Sequence, residues 1–395
     1  ILNPGVSDDD TQHRVIDFFA NRFHLEPDVS ALAGRLATAH TQLSAGLATW
    51  VPRITAPSGV IRVMATAGSG KTQLALRLLR QADADRQRAA YLCFNRTLAD
   101  HIGRIAPVRT TAQTWHEYAL SVARTEGVVG DLVQPDAFNQ ISSHCIAALA
   151  GRPADLDLLV LDEMQDLQPD WVAALLSRLR PEGLAVLLED PSQRLYTDRE
   201  EFDISDAVTV TSMENFRSPR VLVQLINALR LTNSEVEAMS EYKGAAPDPL
   251  VYRNSSEIAP CTALGVRRCL ERGFAIDDIA VVPMRGRERW ELLNLSQLDQ
   301  WSLRRFTGAY DSGGGAIWNS GELLIDSVRR FKGQAAPAVV LTECDLTGWD
   351  PMTRHLLFVG LTRARIHLEW VISTATEGLV QAAFATPPSG STATA

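Results

Sequence analysis

The 395-residue sequence lacks any apolar run long enough to cross a membrane as a helix. Its longest apolar runs, such as "LDLLVLD" and "LAVLLED", end at carboxylates after a few residues, whereas a membrane-spanning helix needs roughly 20 apolar residues. The opening "ILNPGVSDDD" has neither the basic nor the apolar region of a signal peptide. We therefore predict a cytoplasmic protein with no membrane-spanning segment.

Cysteine is scarce and ungrouped. The five cysteines form an odd set without a C-x-x-C pair, which argues against a disulfide framework and a structural zinc site. No low-complexity block occurs before the tail "ATPPSGSTATA", so ordinary folded domains are expected. The chain also begins without methionine, which is compatible with an upstream domain or a protein partner.

An excess of basic charge is absent as well, because the net charge is −9. This does not exclude nucleic acid, since binding depends on a local basic stripe rather than on the sum. Arginine and lysine do cluster locally, in "MRGRERW" and "SVRRFKGQ" for example. Such clusters are also typical of solvated surfaces.

Short apolar runs alternate with helical patterns through most of the chain, which predicts an α/β fold with parallel sheets covered on both faces. Two such series occur, and the glycine-rich "GAYDSGGGAIWNSGE" within the second is interpreted as a loop. We predict four regions: a helical N-terminal segment packed on the first domain (1–58), a first α/β domain (59–207), a second (208–380), and a flexible tail (381–395).

The stretch "ATAGSGKT" follows the apolar run "VIRVM" and precedes a helical pattern. It matches the phosphate-loop pattern G-x-x-x-x-G-K-[ST] except at its first position, where Ala65 replaces glycine. Glycines let backbone N–H groups converge on phosphates, a lysine meets the β and γ charges, and a hydroxyl can bind Mg²⁺. The predicted ATP-binding residues are Gly68, Ser69, Gly70, Lys71 and Thr72.

Carboxylates end a second buried run, "LDLLVLDEMQD", about 90 residues after the loop. Asp162 can hold Mg²⁺ together with Thr72, and Glu163 can take the proton from an attacking water. A solvated strand end would look the same without the phosphate loop. A small-molecule kinase would also have this loop but would not need the motifs that follow.

Further polar residues suit a cleft between two domains. The stretch "LEDPSQ" offers Gln193 to sense the γ-phosphate, whereas "NFRSP" offers Arg217 and "FVGLTRAR" offers Arg363 and Arg365. Arginines from the second unit could reach a transferring phosphoryl group.

The ordered motifs "ATAGSGKT", "CFNRTLADHI", "QTWHEY", "LVLDEMQD", "LEDPSQ", "NFRSP", "DSVRRFKGQ" and "FVGLTRAR" resemble those of superfamily 1 helicases of the UvrD/Rep type, over about residues 60–372. The resemblance implies two tandem RecA-like P-loop domains. It implies Lys71, Thr72 and Asp162 as phosphate and Mg²⁺ contacts, Glu163 as general base, and three γ-phosphate contacts: Gln193, Arg217 and Arg363.

The resemblance also implies contacts with single-stranded DNA across both domains. By motif position these fall at Asn95, Thr114, Trp115, His116 and Ser327, with Lys332 and Gly333 in the motif that links DNA to nucleotide. Trp115 could stack on an unpaired base, and it could equally be a core aromatic.

The sequence departs from the family pattern in several places. Gln12 is the candidate for the adenine-contacting glutamine, although a helical insert separates it from the phosphate loop. Ala335 stands where the family often has a ribose-contacting glutamate. The stretches 118–155 and 220–322 leave little room for accessory subdomains, so translocation is better supported than duplex unwinding.

We therefore predict an ATP- and Mg²⁺-dependent superfamily 1 helicase or translocase that moves on single-stranded DNA, with a 3′ to 5′ direction implied by the resemblance. The alternatives are a nucleotide-gated module that closes on DNA or a partner with slow turnover, and the motor part of a larger nuclease–helicase protein.

Overall fold

The computed structural model of the chain describes residues 45–128, 136–194, 204, 206–285, 292, 295–310 and 316–385. The adenine candidate Gln12 lies outside these ranges. Within them, no helix combines the length and apolar character needed to cross a membrane.

A six-stranded parallel sheet forms the centre of the first unit. Its strands are β1 (Val60–Ala65), β2 (Ala89–Cys93), β3 (Thr111–Thr114), β4 (Leu156–Asp162), β5 (Leu179–Glu189) and β6 (Val208–Ser212). Their order is β3-β2-β4-β5-β1-β6, and each neighbouring pair is parallel. The phosphate-loop strand β1 therefore lies between β5 and β6, and the carboxyl ends of β1 and β4 lie at the same edge of the sheet.

Helices cover both faces of this sheet. They are α1 (Ala45–Trp50), α2 (Lys71–Ala84), α3 (Arg96–Ile105), α4 (Trp115–Thr125), α5 (Ala137–Ala150) and α6 (Pro169–Leu176). The first three pack with Ile61 and Val63 on one face, and the last three with Leu159 and Leu187 on the other. Burial on both faces explains why the central strands are continuous apolar runs instead of alternating ones.

The second unit contains a seven-stranded sheet. Its strands are β9 (Leu250–Tyr252), β10 (Ile279–Pro283), β11 (Gln297–Leu298), β12 (Trp301–Arg304), β15 (Leu323–Ile325), β16 (Ala336–Cys344) and β17 (Ala364–Ser373). Their order is β11-β12-β15-β10-β16-β17-β9, parallel except for the short β11–β12 pair. The structure thus confirms the predicted mixed α/β fold.

Four helices accompany the second sheet, namely α7 (Arg220–Ala228), α8 (Ile258–Glu271), α9 (Pro351–Leu361) and α10 (Thr374–Ala385). Two short strand pairs stand apart from the main sheets. One joins β7 (Glu214–Asn215) to β8 (Glu237–Ala238) in parallel, and the other joins β13 (Phe306–Tyr310) to β14 (Ala316–Trp318) as an antiparallel hairpin.

The structure corrects two predicted boundaries and one predicted loop. Residues 208–212 form β6, which pairs with β1 from Ile61 to Ala65, so the first unit ends after Ser212 and not after residue 207. The helix α10 continues to Ala385, beyond the predicted end of the second domain at 380. The glycine-rich stretch interpreted as a loop contains most of the β13–β14 hairpin.

We expect Gly59→Ala to destabilise the first unit by about 1–3 kcal/mol. Gly59 has φ +70°, and a Cβ there would lie 2.7 Å from the backbone oxygen of Gly183, which belongs to β5. Urea unfolding at equilibrium measures the loss. The matched control is Gly348→Ala, where a Cβ meets nothing within 4 Å. Equal stability of the two variants would contradict the assignment of strain to Gly59.

Candidate nucleotide site

The phosphate-loop sequence follows β1 and ends where α2 begins at Lys71. Gly68 has φ +75°, in the left-handed region that favours glycine. A Cβ on Gly68 would lie 2.9 Å from both Asn215 Oδ1 and Arg217 Cβ, and Phe216 N donates to the Gly68 oxygen at 3.1 Å. The loop thus needs glycine both for its own shape and for the close approach of the second unit.

Donor groups of the loop are directed into a cleft. The Lys71 ammonium donates to the backbone oxygens of Ala65 (2.6 Å) and Thr66 (3.1 Å), and it lies 4.0 Å from Asp190 Oδ2. The hydroxyls of Thr66 and Ser69 are buried without a hydrogen-bond partner among the described residues. Buried polar atoms are normally satisfied, so these hydroxyls and the N-terminus of α2 fit an oxyanion ligand.

A pair of buried carboxylates stands at the end of β4. Asp162 accepts hydrogen bonds from the Tyr91 hydroxyl and from Glu163 N, both at 2.8 Å. Burial and the neighbouring Glu163 charge raise the pKa of Asp162 to about 6. A carboxylate that is costly to ionise in this place fits a divalent cation, whose charge would favour the ionised form.

The second unit places an ammonium directly against the predicted general base. Lys332 Nζ lies 3.1 Å from Glu163 Oε2 and 2.5 Å from Asp166 Oδ2, and its side chain is only 3% exposed. Burial alone would raise the pKa of Glu163, but the charges of Lys332 and Lys71 bring it below its ordinary value. Glu163 is therefore held ionised, which is the form that can accept a proton.

Gln193 connects the two units through its side-chain amide. Its Nε2 donates to Asp190 Oδ2 at 2.6 Å, and its Oε1 accepts from Arg363 Nη2 at 3.2 Å. Arg363 also donates to the backbone oxygens of Val359 and Gln334. The guanidinium is thus fixed by its own unit while it contacts a side chain of the other.

Arg217 is half-buried and brings a second guanidinium to the cleft. Its Nη2 donates to the Thr362 backbone oxygen at 3.1 Å, whereas its Nε has no hydrogen-bond partner among the described residues. Burial, followed by the charges of Arg363 and Arg365, lowers the pKa of Arg217 to about 9. Burial also lowers the pKa of Arg363, to about 10. The positive charges of Arg217 and Arg363 repel each other, so the site fits a ligand with concentrated negative charge.

These side chains line one cleft between the units, with an empty volume of about 570 Å³ that includes space open to solvent. All of the predicted nucleotide and catalytic residues except Gln12 line it: Gly68, Ser69, Gly70, Lys71, Thr72, Asp162, Glu163, Gln193, Arg217 and Arg363. Sequence reasoning missed Tyr91 and Asp166, and also Gln165, whose Nε2 donates to Glu163 Oε2 at 2.5 Å. A tyrosine within the buried run "AAYLC" was the available signal for Tyr91, because a buried hydroxyl needs a partner.

The structure contradicts a DNA-stacking role for Trp115. Its side chain is fully buried, its Nε1 donates to Ser142 Oγ at 3.0 Å, and its ring stacks on Trp171 at 5.1 Å. His116 meets the edges of neighbouring rings, including Trp171, and Thr114 caps α4 in a reciprocal pair with Glu117. Thr114, Trp115 and His116 therefore all take part in the internal packing of the first unit.

Lys332 is likewise not available to DNA in this arrangement, because its buried ammonium pairs with Glu163 and Asp166. Asn95 caps α3 through Oδ1, and its Nδ2 donates to the Lys332 backbone oxygen at 2.9 Å. Ser327 is half-buried, and its hydroxyl accepts from Arg330 N.

Family models match both units. A model described as an AAA domain matches residues 51–199, and the UvrD-like helicase C-terminal domain matches residues 322–371. Together they cover about half of the chain, in the order of the two units. The two matches support a superfamily 1 helicase of the UvrD-like type. The AAA-domain match includes the whole phosphate-loop sequence of the first unit.

Among solved structures, the arterivirus nonstructural protein 10 (helicase) is similar to this helicase at 13% identity and a TM-score of 0.40. The match covers 82% of this chain and 62% of that one. No curated protein matches the chain.

We expect Asp162→Asn to abolish ATP hydrolysis yet stabilise the nucleotide-free helicase at pH 8, by on the order of 1–3 kcal/mol. The pKa of Asp162 is raised from 3.8 in the unfolded chain to about 6, so its ionised form opposes folding above pH 6. The gain should be complete above pH 6 and disappear as the pH falls towards 4. Urea unfolding at both pH values measures it, and a less stable variant at pH 8 would contradict the charge argument.

We expect Lys332→Met to move the acid limb of the ATPase pH profile to higher pH. Without Lys332, burial raises the pKa of Glu163, so the ionised base is lost at a higher pH. The measurement is kcat against pH, with Lys332→Arg as the control that keeps the charge. A loss of kcat by the same factor at every pH would show that Lys332 does not act through Glu163.

Proposed function

We propose that this helicase hydrolyses ATP in the cleft between its two RecA-like units and uses closure of the cleft to move along single-stranded DNA. The observation that carries the proposal is the hydrogen bond from Arg363 of the second unit to Gln193 of the first, beside the phosphate loop. A cleft completed by both units can transmit the state of the nucleotide to their relative position.

The roles follow from the contacts. Lys71 exchanges the backbone oxygens of its own loop for the β and γ phosphates of ATP, and the loop N–H groups hold the same phosphates. Thr72 and Asp162 would hold Mg²⁺, which neutralises phosphate charge when bound. Glu163, kept ionised by Lys332, accepts the proton of the attacking water.

The arginines and Gln193 make hydrolysis depend on closure. Arg217 and Arg363 lie close enough for one to depress the pKa of the other, so the γ-phosphate relieves their repulsion and negative charge developing there is stabilised. Gln193 is hydrogen-bonded to both Asp190 and Arg363. A γ-phosphate bound beside it would compete with these two residues for the Gln193 amide group. Loss of the phosphate after hydrolysis removes the attraction between the units, which permits reopening.

Movement along a strand is better supported than separation of a duplex. In the described ranges, α5 is the one helix between α4 and β4, and the β13–β14 hairpin is the insertion between β12 and β15. Neither has the size of a separate subdomain. The 3′ to 5′ direction is proposed from the motif resemblance.

We expect single-stranded DNA to stimulate the wild-type ATPase strongly, and Glu163→Gln to reduce the rate by about 10²–10⁴-fold and remove the stimulation. The variant keeps the shape of the side chain but loses the base. Steady-state ATPase rates with and without a dT oligonucleotide measure both effects, and equilibrium binding of ATP verifies that the variant site still binds nucleotide.

The control variant is Glu182→Gln on the exposed part of β5, which should behave as wild type. A low wild-type rate that DNA does not change, with nucleotide still bound, would refute an autonomous DNA motor. That result would favour a nucleotide-gated binding module.

A further inference from the structure

The β13–β14 hairpin interrupts the second sheet between β12 and β15, which are themselves parallel neighbours. It carries adjacent apolar side chains at the surface, because Ile317 is 41% and Trp318 36% exposed. Apolar groups presented together on a projecting element are typical of binding surfaces. The hairpin contributes nothing to the nucleotide cleft, so its exposed face needs another explanation.

An arginine is fixed against the aromatic rings of this hairpin. Phe306 and Trp318 are register partners, with ring centroids 6.3 Å apart and an interplanar angle of 62°. The Arg330 guanidinium lies 3.8 Å from the Phe306 centroid and 5.9 Å from that of Trp318. Arg330 also pairs with Asp326 at 3.2 Å. The hairpin thus presents a half-exposed indole beside a positioned cation.

Charge near the hairpin has the opposite sign to the chain as a whole. Residues 301–330 carry the arginines Arg304, Arg305, Arg329 and Arg330 against the acids Asp311, Glu322 and Asp326. Asp326 is buried and already paired with Arg330. A local positive surface on a chain with net charge −9 is complementary to a polyanion.

We propose that Trp318, supported by Phe306 and Arg330, is a stacking platform for an unpaired base of single-stranded DNA. An indole face accepts any base, while a neighbouring guanidinium attracts the adjoining phosphate, so the contact is independent of sequence. The proposal rests on the proposed function, because it assigns part of the path taken by the strand. Trp318 is also an exposed aromatic residue, whereas Trp115, the aromatic residue that the motif resemblance indicates, is buried.

The platform is connected to the nucleotide site by a very short segment. Arg330 contacts the platform rings, and Lys332, two residues later, contacts Glu163 and Asp166. The intervening Phe331 is 2% exposed in the core of the second unit. A strand bound at the platform therefore acts on the same rigid segment that holds the general base.

The test compares Trp318→Ala, Trp318→Phe and a matched control, Trp50→Ala. Trp50 is 65% exposed on α1, with the Arg53 guanidinium 5.1 Å from its ring, so it has the same chemistry on the other unit. Affinity for a fluorescent dT oligonucleotide is measured by anisotropy, and ATPase rates are measured with and without it. We expect Trp318→Ala to weaken dT affinity by about 5- to 100-fold.

Trp318→Phe keeps an aromatic face and should bind dT within a few-fold of wild type, and Trp50→Ala should match wild type. Equal dT affinities of Trp318→Ala and Trp50→Ala would overturn the platform, while DNA stimulation of the wild-type ATPase would leave the proposed function standing. Equal losses in Trp318→Ala and Trp318→Phe would also overturn it, since stacking would not be the cause. A wild type that neither binds dT nor responds to it would overturn both proposals.

Discussion

The ammonium of Lys332, buried between two carboxylates of the other unit, is the interaction on which the rest of the site depends. Removing one partner from a buried ion pair leaves an uncompensated charge and costs several kcal/mol. If the units separated without water entering the cleft, Glu163 and Asp166 would be left as uncompensated buried charges. The Asn95 amide, which donates to the Lys332 backbone oxygen, fixes the same segment from the first unit. The position of the second unit is therefore tied directly to the charge state of the general base.

The polar and charged groups of the cleft divide into a satisfied group, which neighbouring partners match, and an unsatisfied group, whose ionised forms are disfavoured. Lys332 is matched by carboxylates, and Gln193 by Asp190 and Arg363. By contrast, the pKa of Asp162 is raised and that of Arg217 is lowered, because burial and like charges disfavour their ionised forms. The unsatisfied groups oppose folding until a ligand of complementary charge arrives, and perturbed groups of this kind are typical of functional sites. The disfavoured charges of the nucleotide site therefore lower the stability of the folded protein, and the satisfied ion pairs offset part of this loss.

The phosphate loop and the carboxylates at the end of β4 could be predicted because their chemistry depends on local sequence within a fixed strand and helix context. Their assembly with Arg217 and Arg363 followed from motif order. The location of β6 could not be predicted, because "VTVTS" is a half-buried strand that either sheet could have accepted. The burial of Trp115 and of Lys332 could not be predicted for a related reason: a motif gives the position of a residue along the chain, whereas burial depends on neighbours such as Trp171 and Asp166, which are distant in sequence. The β13–β14 hairpin could not be predicted, because the glycines around its strands indicate a loop.

In the proposed function, the segment 327–333 would couple the nucleotide to the DNA strand in a chain that has only small insertions. Phe331 anchors its centre in the core of the second unit, so the segment moves with that unit and not as an independent loop. Arg330 faces the hairpin, and Lys332 faces the general base. Any force on the hairpin that rotates the second unit must therefore change the Lys332–Glu163 distance, and any change in the cleft must move the hairpin. Because thermodynamic coupling is reciprocal, the same rigid connection can carry DNA-induced activation of hydrolysis in one direction and nucleotide-induced movement in the other.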